Sequence, residues 1–571
     1  MVFFLRKAIT TITIQRLVIS CHFMLLISAS LVTSYAFAMD KTPVNQAQLP
    51  KLVLLLVVDG LPQEQVVRYR DQFSEGGFKR LLTQGAWYSN AHQAHAVTKT
   101  AVGHSAISTG AYPYQHGIIS NDWFDNKTLE FVYCTEDKAH TYIGEETAKN
   151  DGTSPANLKV TTIGDELRYA TGSQSKVIAI SGKDRGAILL AGQTGTAYML
   201  MKKSGAFASS TYYMKAHPQW LEQYQKNRPQ DRYYGKSWSP LLSEKSYALD
   251  ASDDIVAPLS KDKNTRFPFV FDSKSGKPDA EYYGKLFTGP FVDELTLDFA
   301  KTAISGEQLG NNANGATDLL AISLSGHDYV NHEWGPESRM SHDHLQRLDR
   351  MLADFFKHID QKIGLNNTLI VLTADHGFAN TAEFSKARSI DAQRIDNKAM
   401  MLELNQHLSR QFDVTNVAKK WYSPTIVLDS AQIQAKGLSF EKIETEAANF
   451  LSSYNGVSHV FTRTQLESGA IPNSRMSLLI QRAWNKNISG DIMLVLKPHW
   501  YFGSKNVGAQ HGSPYTYDSN VPLMMMGKPW IKAGAYGQYA EVVDIASTLA
   551  HLLRIRPPAA AEGKVLVEAL K

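Results

Sequence analysis

The sequence predicts an α/β fold in which a central, mostly parallel sheet is sandwiched by helices, with an inserted cap subdomain. Four continuous apolar, β-prone runs (Leu52 to Val58, Lys176 to Ser181, Asp318 to Ser323 and Thr368 to Thr373) read as strands buried on both faces, the pattern of parallel sheets. Between the third and fourth lies an amphipathic helix. Leu345, Leu348, Met351, Leu352, Phe355, Phe356 and Ile359 fall on one face and Arg347, Arg350 and Asp354 on the other, as a crossover between parallel strands requires. With 43% apolar residues in 571, the chain can fill one large domain carrying a second subdomain.

Residues 1–38 read as a secretory signal peptide: Arg6, Lys7 and Arg16 give a positive start, Leu17 to Val32 is mostly apolar, and Ala36-Phe37-Ala38 has the form of a cleavage site. Retained uncut, the apolar run would serve as an anchor; cleaved, it leaves no stable membrane insertion. The expected location is periplasmic or secreted. Cleavage removes three basic residues and no acidic ones, taking the formal charge from +4 to +1. A nearly neutral chain argues against a nucleic-acid-binding surface, and a monomer is favoured. Cys134 is then left without an intrachain partner, so no disulfide framework is expected, and after Phe131-Val132-Tyr133 it reads as a buried small residue.

Asp40 to Pro50 reads as a linker into a single catalytic domain over 39–571. The first strand ends in Asp59-Gly60, at the carboxyl edge where open α/β sheets bind ligands. Val97 to His104 reads as a polar turn opening a short helix that stops at Gly110. The unpaired N–H groups and positive dipole end of such a helix favour an anion, so a hydroxyl there either caps the helix or attacks a bound phosphoryl group. Residues 190–310, with Trp220, Tyr224, Tyr233, Tyr234 and Trp238, and residues 390–505, with a helix from Ser439 and a strand from Ile492, read as insertions forming a cap. A strand from Val521 to Met526 and a helix from Glu541 to Leu553 carry the sheet pattern to the C-terminus.

The polar residues at the strand ends form a set: Asp59, Asp328 and His332, Asp375 and His376, and His511. Carboxylate oxygens with imidazole nitrogens suit Zn²⁺, and Asp-x-x-x-His lets both side chains face one way on a helical turn. Three aspartates and three histidines are enough for two sites.

In this order, Val57-Val58-Asp59-Gly60, Thr98-Lys99-Thr100 with Gly103-His104, Asp328-x-x-x-His332, Thr373-Ala374-Asp375-His376-Gly377 and His511-Gly512 resemble the motif series of the alkaline phosphatase superfamily. The resemblance extends from about Leu52 to Leu553. Thr100 and Gly117-Ile118-Ile119-Ser120-Asn121 are similar to the branch holding nucleotide pyrophosphatase/phosphodiesterases and PafA-like threonine-nucleophile alkaline phosphatases. That resemblance implies two Zn²⁺ ions, one held by Asp59, Thr100, Asp375 and His376 and the other by Asp328, His332 and His511. It also implies that Thr100 attacks phosphorus to give a phosphothreonine intermediate, while Asn121, Lys183 and Arg185 hold the non-bridging oxygens. Lys183 and Arg185, following the second strand, are similar to the phosphate-binding Lys-x-Arg of the PafA-like phosphatases. Two added cations favour a monoester dianion, so the expected activity is that of an alkaline phosphatase on small phosphate monoesters. The alternative is a nucleotide pyrophosphatase/phosphodiesterase with the same metals and nucleophile. The Cys/Ser-x-Pro-x-Arg signature of sulfatases is absent around Thr100. His327 reads as packing, and His92, His95, His104 and His116 as structural or supporting residues.

Overall fold

The computed structural model describes residues 48–251, 266–503 and 508–571; the expected signal peptide lies outside the described residues. The helices and strands belong to the unit Leu49–Lys571.

Among the described residues, ten strands form the main sheet: β1 (Leu52–Val58), β2 (Ala86–His92), β3 (Val177–Ser181), β4 (Thr196–Leu200), β5 (Phe207–Ala208), β6 (Asp318–Leu324), β7 (Thr368–Thr373), β8 (Asn520–Met526), β9 (Gly534–Tyr536) and β10 (Ala540–Glu541). Their spatial order is β9-β2-β8-β7-β1-β6-β3-β4-β5, with β10 also pairing with β2. The centre is parallel, β1 lying between β6 and β7 and β6 pairing with β3, which pairs with β4. Every residue of β1, β6 and β7 is buried, as the unbroken apolar runs predict. The strand expected from Val521 is β8, which runs antiparallel to both β7 and β2.

Two groups of helices flank the sheet: α1 (Thr100–Thr109) with α2 (Asp184–Ala191) and α6 (Asp544–Leu553), and α3 (Phe291–Glu307) with α4 (Gly326–Trp334) and α5 (Arg339–Lys362). Helix α5 is the expected crossover; Leu345, Leu348, Leu352, Phe355, Phe356 and Ile359 are buried and Asp354 is exposed. Helix α6 begins at Asp544 rather than Glu541, because Ala540 and Glu541 pair with Ala91 and His92 at the end of β2. Helix α1 ends at Gly110, whose φ of 66° supplies the left-handed C-cap.

The two atypical segments differ in kind. Within 390–505, Ala418–Tyr422, Thr425–Leu428, Ile492–Leu496 and Val457–Thr462 form a separate four-stranded antiparallel sheet. It has its own core, which includes Ile426, Leu428, Ile443 and Leu494. The 190–310 stretch instead contributes β4, β5 and α3 to the main layers, and its aromatics bind those layers together: Trp220 and Tyr198 meet edge to face at 5.5 Å, and the Trp238 indole donates to Asp343 Oδ1 of α5 at 2.6 Å.

Candidate metal centre and nucleophile

The register of the central strands assembles the site. Val58 lies beside Leu324 and Val57 beside Thr373, so β1, β6 and β7 end at one edge. Asp59 follows β1, Asp375 and His376 follow β7, and Asp328 and His332 lie one turn apart on α4, which starts two residues after β6. His511 comes from the loop before β8. Gly60, at φ 71°, makes the turn out of β1 and donates its N–H to Asp375 Oδ1 at 3.0 Å; a Cβ there would sit 3.1 Å from the Asp328 backbone.

Two groups of candidate ligands result, Asp59 with Asp375 and His376, and Asp328 with His332 and His511; within each, the ligand atoms lie within 4.8 Å of one another. His376 Nε2 is 3.5 Å from Asp59 Oδ1, 3.5 Å from Asp375 Oδ2 and 3.8 Å from Asp328 Oδ1, so the groups adjoin. His332 Nε2 and His511 Nε2 lie 3.4 and 3.6 Å from Asp328 Oδ1. The three histidines are oriented alike. Nδ1 faces a backbone carbonyl in each, Gly377 O at 2.8 Å for His376, Ala509 O at 3.1 Å for His332 and Thr98 O at 2.7 Å for His511. With the proton on Nδ1, each Nε2 lone pair points into the centre, as a metal ligand's does. Asp59 Oδ1, Asp328 Oδ1, Asp375 Oδ2 and His376 Nε2 are buried without a hydrogen bond among the described residues. Unpaired buried oxygens and nitrogens of these types fit a borderline cation such as Zn²⁺.

Around the Asp59 group the local field favours positive charge, whereas burial lowers the pKa of His332 and His511. Burial alone would lower the pKa of His376, but Asp375, Asp59 and Asp328 outweigh it and raise the value to about 9. Burial works against the Asp375 carboxylate, yet His376 and His104 hold its pKa down to about 2. Lys183 Nζ bridges the two groups, 2.7 Å from Asp59 Oδ2 and 2.5 Å from Asp328 Oδ2. These carboxylates raise the ammonium's pKa despite burial.

Thr100 is the first residue of α1 and is 1% exposed. The helix start is pressed against the metal group, since a Cβ on Gly103 would lie 2.1 Å from Asp375 O. Asn121 Oδ1 accepts the Ala101 N–H at 2.9 Å, which leaves the amide NH₂ as that side chain's donor. Lys99 Nζ donates to Ser423 O at 2.6 Å and Ser120 Oγ at 3.1 Å. Arg185, in the first turn of α2, is anchored through Nη1 to the Tyr133 hydroxyl at 3.2 Å, and that hydroxyl donates to Asp184 Oδ1 at 2.8 Å.

His327 is buried between Gln65 Oε1 and His344 Nδ1, at 2.7 and 3.1 Å, outside both ligand groups. His92, His95, His104 and His116 also lie outside them, but His104 has a specific place. Its Nδ1 is 2.8 Å from Thr100 O and 3.2 Å from Asp375 Oδ2, and Nε2 is 2.8 Å from Ser323 Oγ, so it ties the helix start to a metal-group carboxylate. Its position one turn after Thr100 was the available signal. Tyr133 and Tyr329 are additions that the sequence pattern does not reveal; Lys183 Nζ lies 4.9 Å from the Tyr329 ring centre. Cys134 is buried, and burial raises its thiol pKa.

Comparison with known proteins identifies relatives along most of the chain. Residues 53–516 match the family described as type I phosphodiesterase / nucleotide pyrophosphatase. A Myroides odoratus protein named calcium-transporting ATPase is 37% identical over 92% of this chain and 96% of its own length. The alkaline phosphatase PafA of Elizabethkingia meningoseptica is 34% identical over 95% of this chain and 98% of its own. The crystal structure of wild-type alkaline phosphatase PafA superposes with a TM-score of 0.85 at 33% identity, covering 92% of this chain and all of that one. The chain belongs to the type I phosphodiesterase/nucleotide pyrophosphatase family, as a phosphoric monoester hydrolase of the alkaline phosphatase type.

Proposed function

We propose that the protein is an exported, zinc-dependent phosphate monoester hydrolase that works as a monomer through a phosphothreonine at Thr100. Asp59, Asp375 and His376, with Thr100, would hold one ion, and Asp328, His332 and His511 would hold the other. When bound, the two zinc ions supply Lewis-acid charge, which lowers the pKa of a hydroxyl and offsets charge building on a leaving oxygen. Thr100 Oγ attacks phosphorus in line, the ester oxygen departs, and water then cleaves the phosphothreonine. The amide NH₂ of Asn121, the Lys183 ammonium and the Arg185 guanidinium hold the non-bridging oxygens, so the protein's part is positioning and charge stabilisation.

The observation that carries this reading is the pairing of two adjoining ligand groups with a buried ammonium between them. Lys183 already lies within 2.7 Å of a carboxylate from each group, so it is within reach of an anion centred on both. A diester replaces one charged oxygen with an organic group and gains less from Lys183 and Arg185. The experiment compares p-nitrophenyl phosphate with bis(p-nitrophenyl) phosphate, with and without chelator. Lys183→Ala with Arg185→Ala should lower kcat/KM for the monoester by about a hundredfold or more, as expected for two charged hydrogen bonds, and far less for the diester. Equal losses on both would favour the phosphodiesterase reading.

A further inference from the structure

We propose that the cavity between the metal centre and the small antiparallel sheet is a leaving-group pocket for a flat aromatic ring carrying a hydrogen-bond acceptor. This deepens the hydrolase reading and rests on it. The cavity measures about 270 Å³. An apolar cavity of about 150 Å³ already takes a benzene ring, so the space suits a one- or two-ring system.

One wall belongs to the site: Lys99, next to Thr100, and His511 with Gly512. The facing wall is aromatic and comes from the 390–505 segment: Trp421, Trp500, Tyr501 and Phe502. Trp421 and Phe502 are half-buried and meet edge to face, with ring centres 4.6 Å apart at 65°. Such a surface holds a planar ring by stacking and desolvation. Trp500 adds a polar requirement. It is 5% exposed, and its indole N–H, though buried, has no acceptor among the described residues. Water, an ion or a bound group can satisfy such a donor, and the proposal gives that role to an acceptor on the ring.

A second cavity of about 400 Å³ is lined by charges of both signs: Lys183, Arg185, Lys202 and Lys203 with Glu145, Glu146, Asp151 and Asp184. The phosphoryl oxygens belong beside Lys183 and Arg185 on that side, and the carbon framework on the other. His511 joins the aromatic cavity to the Asp328 group, and the proposal places the departing oxygen on that side. The bond broken joins phosphorus to the ester oxygen, which leaves with the ring-bearing group and takes a proton from solvent.

The test has a binding arm and a turnover arm. Calorimetry on the zinc-loaded protein should show phenylphosphonate binding at least tenfold tighter than methylphosphonate; equal constants would overturn the proposal. For turnover, kcat/KM is measured for p-nitrophenyl phosphate against methyl phosphate, and for AMP against ribose 5-phosphate. Trp421→Ala and Phe502→Ala should each lower at least one ratio tenfold, the first pair identifying an aryl source of the ring and the second a nucleobase. Trp500→Phe, which keeps a ring and removes the N–H, should lower the ratio for the acceptor-bearing substrate. Ratios do not depend on how much of a preparation is folded, so unchanged ratios in all three variants would overturn the proposal. Absence of turnover with the phosphonate preference intact would count against the hydrolase reading and for the pocket.

Discussion

Each site histidine gives its Nδ1 to a backbone carbonyl and keeps Nε2 for the centre, so three short loops fix the direction of three lone pairs. The proposed nucleophile adds one hydroxyl to a ligand set otherwise made of carboxylates and imidazoles, so its loss and a histidine's should differ in effect. Thr100→Ala removes one hydroxyl and no histidine or carboxylate; turnover should fall by about a thousandfold or more with metal content nearly unchanged. His511→Ala removes a nitrogen from the Asp328 group and should lower bound zinc in elemental analysis. Full activity in the first variant would contradict the nucleophile assignment, and normal stoichiometry in the second the ligand assignment.

At the scale of elements, the site is a consequence of parallel register: three neighbouring strands ending together bring three aspartates to one edge. The connection from α4 into α5 carries a buried carboxyl, Glu337, one residue before the Ser338 N-cap; it accepts the Thr381 N–H at 3.0 Å as well as the Thr381 hydroxyl. Burial raises its pKa from 4.5 to about 7, against the pull of those bonds. A carboxyl whose folded pKa is raised binds more protons in the native state, so its contribution is fully present below pH 4.5 and is lost as pH rises to about 7. Glu337→Gln cannot ionise. Relative to the parent, the variant should gain roughly 2–3 kcal/mol between pH 4.5 and pH 8, read from urea midpoints; a pH-independent difference would contradict the buried-acid account.

The legible elements were those whose pattern is set by burial alone. Strands β1, β6 and β7 are apolar throughout, and the face of α5 repeats at helical spacing, so both could be read directly. Strand β2, Ala-Trp-Tyr-Ser-Asn-Ala-His, could not, since its burial follows no regular period and it is fixed by pairing with β8, more than 400 residues later. The same reason placed β4 and β5 within the atypical 190–310 stretch: two short strands at the sheet's end carry little periodicity. At the site, Asp59, Asp328, His332, Asp375, His376 and His511 were readable as strand-end polar residues and come together in two groups. Tyr133 was not, because its contact with Arg185 depends on how a short hairpin packs on α2.

For the whole molecule, the proposed ions would couple to the stability of the fold. Asp59, Asp328 and Asp375 converge with one lysine among them, and their unpaired oxygens make the ion-free centre costly. Chelation should lower the thermal midpoint, and added zinc should restore it; free ion at a hundred times its Kd would stabilise the native state by about 2.7 kcal/mol. A midpoint indifferent to chelator would detach the metals from stability. Among the described residues no helix is long and apolar enough to cross a membrane, and the proposal of an exported enzyme rests instead on the N-terminal sequence.

The central claim, that a threonine takes the phosphoryl group before water does, is tested most directly by stereochemistry. A monoester made chiral at phosphorus with oxygen isotopes is given to the enzyme with an acceptor alcohol, and the configuration of the transferred phosphoryl group is read. Two in-line displacements through Thr100 predict net retention. Inversion would mean a single direct transfer and would contradict the account.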